Sequence, residues 1–277
     1  MWIDSHCHLD AAEFSGQSLV LAQQAASAGV SAIVIPAVHP SNFSIVAELA
    51  QQATTCFYTL GIHPMYVPDA HEDDLQALRK NIQTLISMPE LASGFVGIGE
   101  IGLDFFVPAL TQSPLKEKQE FFFTEQLKIA RDFDLPILMH VRRSQDIILK
   151  HCRRIRVAGG IAHAFNGSEQ QAQAFIGLGF KLGFGGAMTY PRALQIRRLA
   201  VSLPLDAIVL ETDAPDIAPH WLAHGINSPV ELPRIGAVLA ELRGVSPVLV
   251  AAQTSANVMD ALPRMVLPRI PLSSDAH

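Results

Sequence analysis

The sequence has few of the features that mark membrane or secreted proteins. No run of about 18 consecutive apolar residues occurs, which argues against a transmembrane helix and a membrane partner. The first residues lack a basic segment followed by an apolar core, so we expect no secretory signal peptide. Cys7, Cys56 and Cys152 are odd in number and far apart in the 277 residues. Such cysteines are typical of reduced thiols, and we expect a cytoplasmic protein.

Positive charge is also scarce. The chain has 20 Lys and Arg residues against 26 Asp and Glu residues, a net charge of -6. This balance argues against tight, non-specific binding to nucleic acid, for which a basic face is expected. A small local anion site remains compatible with it, and no segment indicates a protein partner.

The sequence does contain a regular alternation of strand-like and helix-like segments. Eight apolar runs predict strands at residues 2–4, 30–38, 57–61, 95–99, 136–140, 160–163, 180–184 and 207–211. Segments with a period near 3.6 predict helices at residues 19–28, 43–53, 73–86, 115–133, 144–151, 169–178, 193–200, 230–242 and 248–262. Such alternation is typical of a parallel sheet, so we predict an α/β fold with a single (β/α)8 TIM barrel.

An open, doubly wound sheet is the alternative fold. The glycine-rich dinucleotide fingerprint that would support it is missing after the first predicted strand. We therefore predict one barrel domain over residues 1–262. Residues 263–277 are predicted to form a C-terminal tail that is partly disordered and has no function of its own.

Polar side chains follow the predicted strands at the end where TIM barrels carry their catalytic residues. His6 and His8 stand two apart after the first strand, so they face the same way and can bind one metal ion. Other strand ends carry His63, Glu100, Asp104, His140, His163 and Asp213. A lone histidine in such a place is more often a hydrogen-bonded core or loop residue, but equivalent placement at several strand ends favours a metal centre. Four imidazoles and two carboxylates suffice for two divalent ions, with Zn, Mn, Fe and Mg all possible.

Six segments of the chain resemble the TatD family of metal-dependent deoxyribonucleases, which are amidohydrolase-like barrels. The segments are Asp4-Ser5-His6-Cys7-His8-Leu9, Gly61-Ile62-His63-Pro64, Gly99-Glu100-Ile101-Gly102-Leu103-Asp104, Pro136-Ile137-Leu138-Met139-His140-Val141-Arg142, His163-Ala164-Phe165-Asn166-Gly167-Ser168 and Glu211-Thr212-Asp213-Ala214-Pro215. Residues 163–165 and 211–216 are most similar to the YjjV-like branch. Many members have His-Cys-Phe-Ser-Gly where this chain has His-Ala-Phe-Asn-Gly, a departure that spares the histidine.

The resemblance implies a role for each matching residue. His6, His8 and Asp213 would hold one divalent ion, Glu100 would bridge two ions, and His140 and His163 would complete the second site. Asp213 would also act as the general base that activates water. His63 and Arg142 would contact the substrate phosphate. The implied activity is a deoxyribonuclease, acting as an exonuclease on DNA or another phosphodiester with two divalent metal ions (Zn, Mg or Mn) as cofactors.

Two other functions remain open at the level of sequence. The same metal chemistry could hydrolyse an ester or an amide, such as an aminoacyl ester on transfer RNA or a small cyclic amide. A non-catalytic metal-binding scaffold is the third possibility. Asp4 and Glu211 are predicted to hydrogen-bond around the ligands rather than to bind metal themselves. Asp104 is predicted to orient a neighbouring loop or to pair with an arginine.

Overall fold

The fold of the protein is given by a computed structural model that describes residues 1–223 and 225–267. The strands are β1 Trp2–Asp4, β2 Val30–Pro36, β3 Cys56–Leu60, β4 Phe95–Asp104, β5 Ile137–Arg142, β6 Gly160–His163, β7 Phe180–Phe184 and β8 Ile208–Leu210. The helices are α1 Ser18–Ser27, α2 Phe43–Gln52, α3 Glu72–Ser87, α4 Leu115–Asp132, α5 Gln145–Arg154, α6 Glu169–Ile176, α7 Leu194–Ser202, α8 Leu232–Arg243 and α9 Pro247–Ala261.

The strands form one parallel sheet in the order β1 to β8. The sheet closes on itself just beyond the ends of its first and last strands. There Ser5 N donates to Leu210 O at 3.0 Å, and Asp213 N donates to His6 O at 2.8 Å. The predicted TIM barrel is therefore confirmed.

The apolar core lies in two layers. Strand residues such as Ile33 and Tyr58 face outward and pack under the helices, whereas Ile3, Leu138 and Val209 fill the inside of the barrel. The end of α9 contributes to the inner layer, and Met265 is buried there as well. The remainder of the predicted tail, residues 268–277, lies outside the described residues, so its disorder stays a prediction.

Strand β4 is longer than the sequence predicted. It runs to Asp104 rather than ending at residue 99, so Glu100 lies inside a strand. Between Ile98 and Ile101 the register against β5 shifts, because three steps along β4 match the two from Ile137 to Met139. Such a bulge changes the direction of the side chains next to it. The glycines that interrupt the apolar pattern allow this, since a Cβ at Gly99 would collide with the backbone of β5.

Among the described residues, no single helix has the length and hydropathy of a membrane span. The bent pair Pro229–Arg243 and Pro247–Ala261 meets that measure only when its two helices are counted together.

Candidate metal centre

Five strands and the residues directly after them bring the predicted ligands into one cluster centred on Glu100. The carboxylate of Glu100 is buried, and its Oε1 lies 2.7 Å from His163 Nε2 and 2.9 Å from His140 Nδ1. Its other oxygen, Oε2, lies 3.2 Å from His6 Nε2 and 3.4 Å from His8 Nε2. Glu100 therefore divides the cluster into two sides, as a bridging carboxylate would.

Asp213 lies next to the His6 and His8 side of the cluster. Its Oδ1 is 3.4 Å from His6 Nε2 and 3.7 Å from His8 Nε2. It is also 4.0 Å from Nδ1 of His163, which the family resemblance assigned to the other ion. All six predicted ligands thus belong to one connected cluster, while their individual roles as ligands stay a prediction.

Three overlapping groups of side chains have atoms close enough to hold an ion: His6, His8 and Glu100; His6, His163 and Asp213; and His63, Glu100 and His140. The third group includes His63, which the sequence predicted as a contact for substrate phosphate. Its Nε2 lies 3.2 Å from Glu100 Oε1. Proximity alone would therefore make His63 a ligand candidate.

The hydrogen bonds of His63 oppose that role. Met65 N donates to His63 Nδ1 at 3.1 Å, so the neutral ring carries its proton on Nε2. Burial lowers the pKa of His63 to about 4, although the charge of Glu100 opposes this shift, and the ring is neutral at pH 7. Nε2 is then a hydrogen-bond donor without a free lone pair. His63 is arranged to donate to Glu100 or to a bound substrate.

Unpartnered buried atoms indicate that the cluster suits a divalent ion. Among the described residues, Glu100 Oε2, His6 Nδ1 and His163 Nδ1 are buried without a hydrogen-bond partner. Glu100 Oε2 nevertheless lies close to two imidazole nitrogens. A buried carboxylate oxygen without partners is costly, and a metal ion removes that cost by accepting the converging lone pairs. Imidazole nitrogens with carboxylate oxygens fit zinc, manganese or ferrous iron.

Glu100 and His163 shift each other's pKa within the cluster. Burial raises the pKa of Glu100, but the imidazoles of His63, His163 and His6 outweigh it, and the net pKa lies well below its usual value. Burial disfavours charged His163, yet Glu100 and Asp213 outweigh that effect and raise its pKa to about 10. A proton therefore sits where a metal would bind, and metal binding has to displace it.

Asp104 fixes the orientation of His140. Its Oδ2 lies 3.1 Å from His140 Nε2, so the other ring nitrogen, Nδ1, faces the cluster. Its Oδ1 accepts hydrogen bonds from Phe106 N at 2.8 Å and Val107 N at 3.0 Å. Asp104 thereby connects the cluster to the loop after β4, a supporting arrangement common around metal-binding histidines.

Asp4 joins the ends of β1 and β8. It accepts hydrogen bonds from Thr212 N at 2.9 Å, Thr212 Oγ1 at 2.6 Å and His6 N at 3.3 Å. These bonds hold the backbone of His6 against the segment that carries Asp213. Thr212 was missed by sequence reasoning, although a hydroxyl beside two carboxylates in Glu211-Thr212-Asp213 was the available signal.

Glu211 supports the backbone beside His163. Its Oε1 accepts a hydrogen bond from Ala164 N, and its Oε2 lies 3.5 Å from Ser5 Oγ. Ala164 has a φ of 44°, a left-handed conformation that an alanine rarely adopts without support. Gly183 on the neighbouring strand β7 leaves space for this carboxylate, because a Cβ at that position would lie only 2.6 Å from Glu211 Cδ.

The cluster forms the floor of an open cavity of about 1200 Å³. Arg142 lies at its rim rather than in the cluster, with its side chain 50% exposed and Nη1 3.8 Å from Asp104 Oδ2. Its guanidinium stacks on the Phe106 ring at 3.9 Å from the centroid. Arg142 is thus placed to meet a ligand that enters the cavity.

The matches to a family model, to relatives and to a solved structure agree with one another. The family model described as "TatD related DNase" matches residues 3–262. The uncharacterized metal-dependent hydrolase YjjV of Escherichia coli K12 is 40% identical over 243 residues, covering 87% of this chain and 90% of that protein. A crystal structure of YjjV from E. coli K12 superposes with a TM-score of 0.87 at 37% identity, covering 95% of this chain and 98% of that one. The 3'-5' ssDNA/RNA exonuclease TatD of E. coli K12 is 32% identical over 241 residues, covering 83% of this chain and 87% of that protein.

Proposed function

The chain belongs to the TatD family and is a metal-dependent hydrolase, and from this premise we propose that it removes nucleotides from the ends of DNA. The observation that carries the proposal is the convergence of His6, His8, His140, His163 and Asp213 on the buried carboxylate of Glu100. The name of the TatD relative, an exonuclease, supports the choice of a phosphodiester substrate.

Each side chain of the cluster has a role in this proposal. His6, His8 and Asp213 would hold one divalent ion and His140 and His163 a second, with Glu100 between them. Ions bound there would lower the pKa of water and offset the negative charge of a phosphodiester. Asp213 accepts the proton of the attacking water, because its Oδ1 borders both sides of the cluster and its side chain reaches the cavity. His63 Nε2–H donates to an oxygen of the scissile phosphate, and the Arg142 guanidinium at the rim donates to an oxygen of a phosphate beside it.

Acidic residues at the cavity rim favour a second candidate function. Asp10, Glu13 and Asp216 line the same cavity, so no basic groove surrounds the whole opening. An ester or amide with a neutral or cationic end would suit this acidic edge. A metal-dependent esterase or amidase is therefore the alternative, with the same ligands and the same general base.

The experiment that separates these functions starts from metal-stripped protein. Cleavage of single- and double-stranded DNA oligonucleotides is followed after Mg²⁺, Mn²⁺ or Zn²⁺ is added back, with aminoacyl-ester and amide substrates run in parallel. Asp213→Asn serves as the matched variant that exposes a contaminating nuclease.

Metal-dependent loss of single nucleotides, absent from the variant, is the expected result. The product ladder then gives the direction of digestion. A protein that binds two ions and cleaves an ester or amide, but no phosphodiester, would replace the nuclease proposal with the second candidate. Bound metal without hydrolysis of any substrate would support a non-catalytic scaffold.

A further inference from the structure

We propose that Phe106, Arg142 and Arg143 form a subsite for the phosphate next to the scissile phosphodiester. We call these three residues the rim subsite. The inference rests on the proposed function, and it adds that the polynucleotide leaves the active site over the ends of β4 and β5. It also assigns substrate contacts to Phe106 and Arg143.

The rim subsite is built around one exposed aromatic ring. Phe106 follows β4 and is 45% exposed, while Arg142 and Arg143 come at the end of β5. Both guanidiniums stack on this ring, with Cζ 3.9 Å and 4.7 Å from its centroid. Stacking on an aromatic face holds a guanidinium in place while its N–H groups stay free for an anion.

Both arginines keep N–H donors available for a ligand. Within residues 1–223 and 225–267, neither the Arg142 nor the Arg143 guanidinium donates a hydrogen bond to a protein acceptor, and Arg143 has no carboxylate within ion-pair distance. The closest carboxylate to Arg142 is Asp104, at 3.8 Å. Two adjacent cations with free donors match the charge and geometry of a phosphate.

The position of the subsite relative to the cluster is fixed by direct contacts. Asp104 pairs with Arg142 and also hydrogen-bonds His140, whose Nδ1 lies 2.9 Å from Glu100 Oε1. The backbone of Phe106 donates to the same Asp104. All three rim residues line the cavity whose floor is the cluster. A chain bound at the cluster can therefore reach the rim subsite with an adjacent phosphate.

Negative charge at the opposite edge of the cavity indicates the direction in which a bound polynucleotide extends. Asp10 and Glu13 follow β1 and Asp216 follows β8, and all three line the cavity. In a barrel with the strand order β1 to β8, those strands lie across from β4 and β5. Phosphates are repelled on the acidic side and attracted on the basic side. A polynucleotide would thus extend on one side only, as the substrate of an exonuclease does.

The test measures binding of ligands that differ by one phosphate. Metal-loaded Asp213→Asn protein is titrated with dithymidine monophosphate without a terminal phosphate and with one at its 5′ or its 3′ end. Arg143→Gln and Phe106→Ala are introduced into this background. Arg156→Gln is the matched control, because this exposed arginine lies between α5 and β6, at the opposite end of the barrel.

We expect one of the two phosphorylated ligands to bind about tenfold more tightly than the unphosphorylated one. Arg143→Gln should abolish this preference, Phe106→Ala should weaken it, and Arg156→Gln should keep it. The absence of a preference in the parent protein would overturn the proposal. A preference that survives Arg143→Gln would also overturn the proposal. The stacked arginines would then have a structural role only.

Kinetics with the otherwise unmodified enzyme distinguish failure of the subsite from failure of the proposed function. In Arg143→Gln, kcat/KM for an oligonucleotide should fall about tenfold, whereas kcat/KM for bis(p-nitrophenyl) phosphate, which has a single phosphate, should not change. Equal losses on both substrates would refute the subsite. No cleavage of either substrate by the wild type would refute the nuclease, while the binding titration would still decide whether the rim holds a phosphate.

Discussion

The tight fit between Gly183 and Glu211 leads to a quantitative prediction for Gly183→Ala. The added Cβ would lie 2.6 Å from Glu211 Cδ and 2.8 Å from Oε1, with Oε2 closer still. Ordinary contacts of this kind require more than 3 Å, so the carboxylate must move. It cannot do so by a simple shift of its backbone, because Glu211 N is bonded to Phe184 O on the same neighbouring strand.

The cost follows from the hydrogen bond that the carboxylate loses. A displaced Glu211 leaves the Ala164 N–H without its acceptor, which costs about 1–3 kcal/mol. Forcing a methyl group into a packed core adds about 1–3 kcal/mol. We therefore expect a loss of about 2–6 kcal/mol in the free energy of unfolding. At about 2 °C for each kcal/mol in a chain of this size, the midpoint of thermal unfolding should fall by about 4–12 °C.

Circular dichroism on the metal-stripped proteins measures this loss. Gly177→Ala is the control, because Gly177 has a φ of -64° and ends helix α6 without a comparable clash. The double variant Gly183→Ala/Glu211→Ala should be no less stable than Glu211→Ala alone, since removal of the carboxylate removes the collision. If the losses of the two single variants simply add in the double variant, the proposed clash is refuted.

Four further results are expected at the cluster itself. Asp213→Asn should lower kcat at least 100-fold with the fold preserved, because Asn tolerates the φ of 55° at this position; near-normal turnover would exclude Asp213 as the base. Asp104→Asn should weaken metal binding about 10–100-fold in a chelator competition, because its amide would oppose the N–H of His140; unchanged affinity would contradict the assigned orientation of that ring. His63→Gln should lower kcat while leaving the metal stoichiometry equal to that of the wild type, whereas loss of one ion would show that His63 is a ligand after all. Saturation of the stripped protein with metal at about 1,000 times its Kd should add about 4 kcal/mol of stability, a rise of about 8 °C by scanning calorimetry, and no rise would argue against a preformed site.

Much of the architecture could be read from local patterns. Strands β1, β6 and β7 begin and end where apolar runs predicted, because alternation of side chains and flanking polar residues act within a few positions. Strand β4 exceeded its prediction because Gly99, Glu100 and Gly102 interrupt the apolar pattern. Gly99 and Glu100 form a bulge whose fit depends on the backbone of β5, and a local pattern contains no information about that neighbour.

The candidate site also contains residues that the sequence predicted and contacts that it did not. The motifs were sufficient to select His6, His8, Glu100, His140, His163 and Asp213, and the structure brings these side chains together. The supporting contacts were harder to predict. Thr212 holds Asp4, and Gly183 makes room for Glu211, through pairs of residues that are remote in sequence or on different strands.

By itself, the sequence determined the family, the barrel and the set of polar residues at the strand ends, because each is encoded in short motifs and in periodic burial. Only the tertiary structure decided how these residues act. Met65 N–H sets the donor nitrogen of His63, and closure of the barrel places Asp10 and Glu13 across from Arg142 and Arg143. The tautomer of a histidine, the shape of a cavity and the arrangement of charges around its opening all depend on distances between separate strands. These distances are set only when the barrel closes.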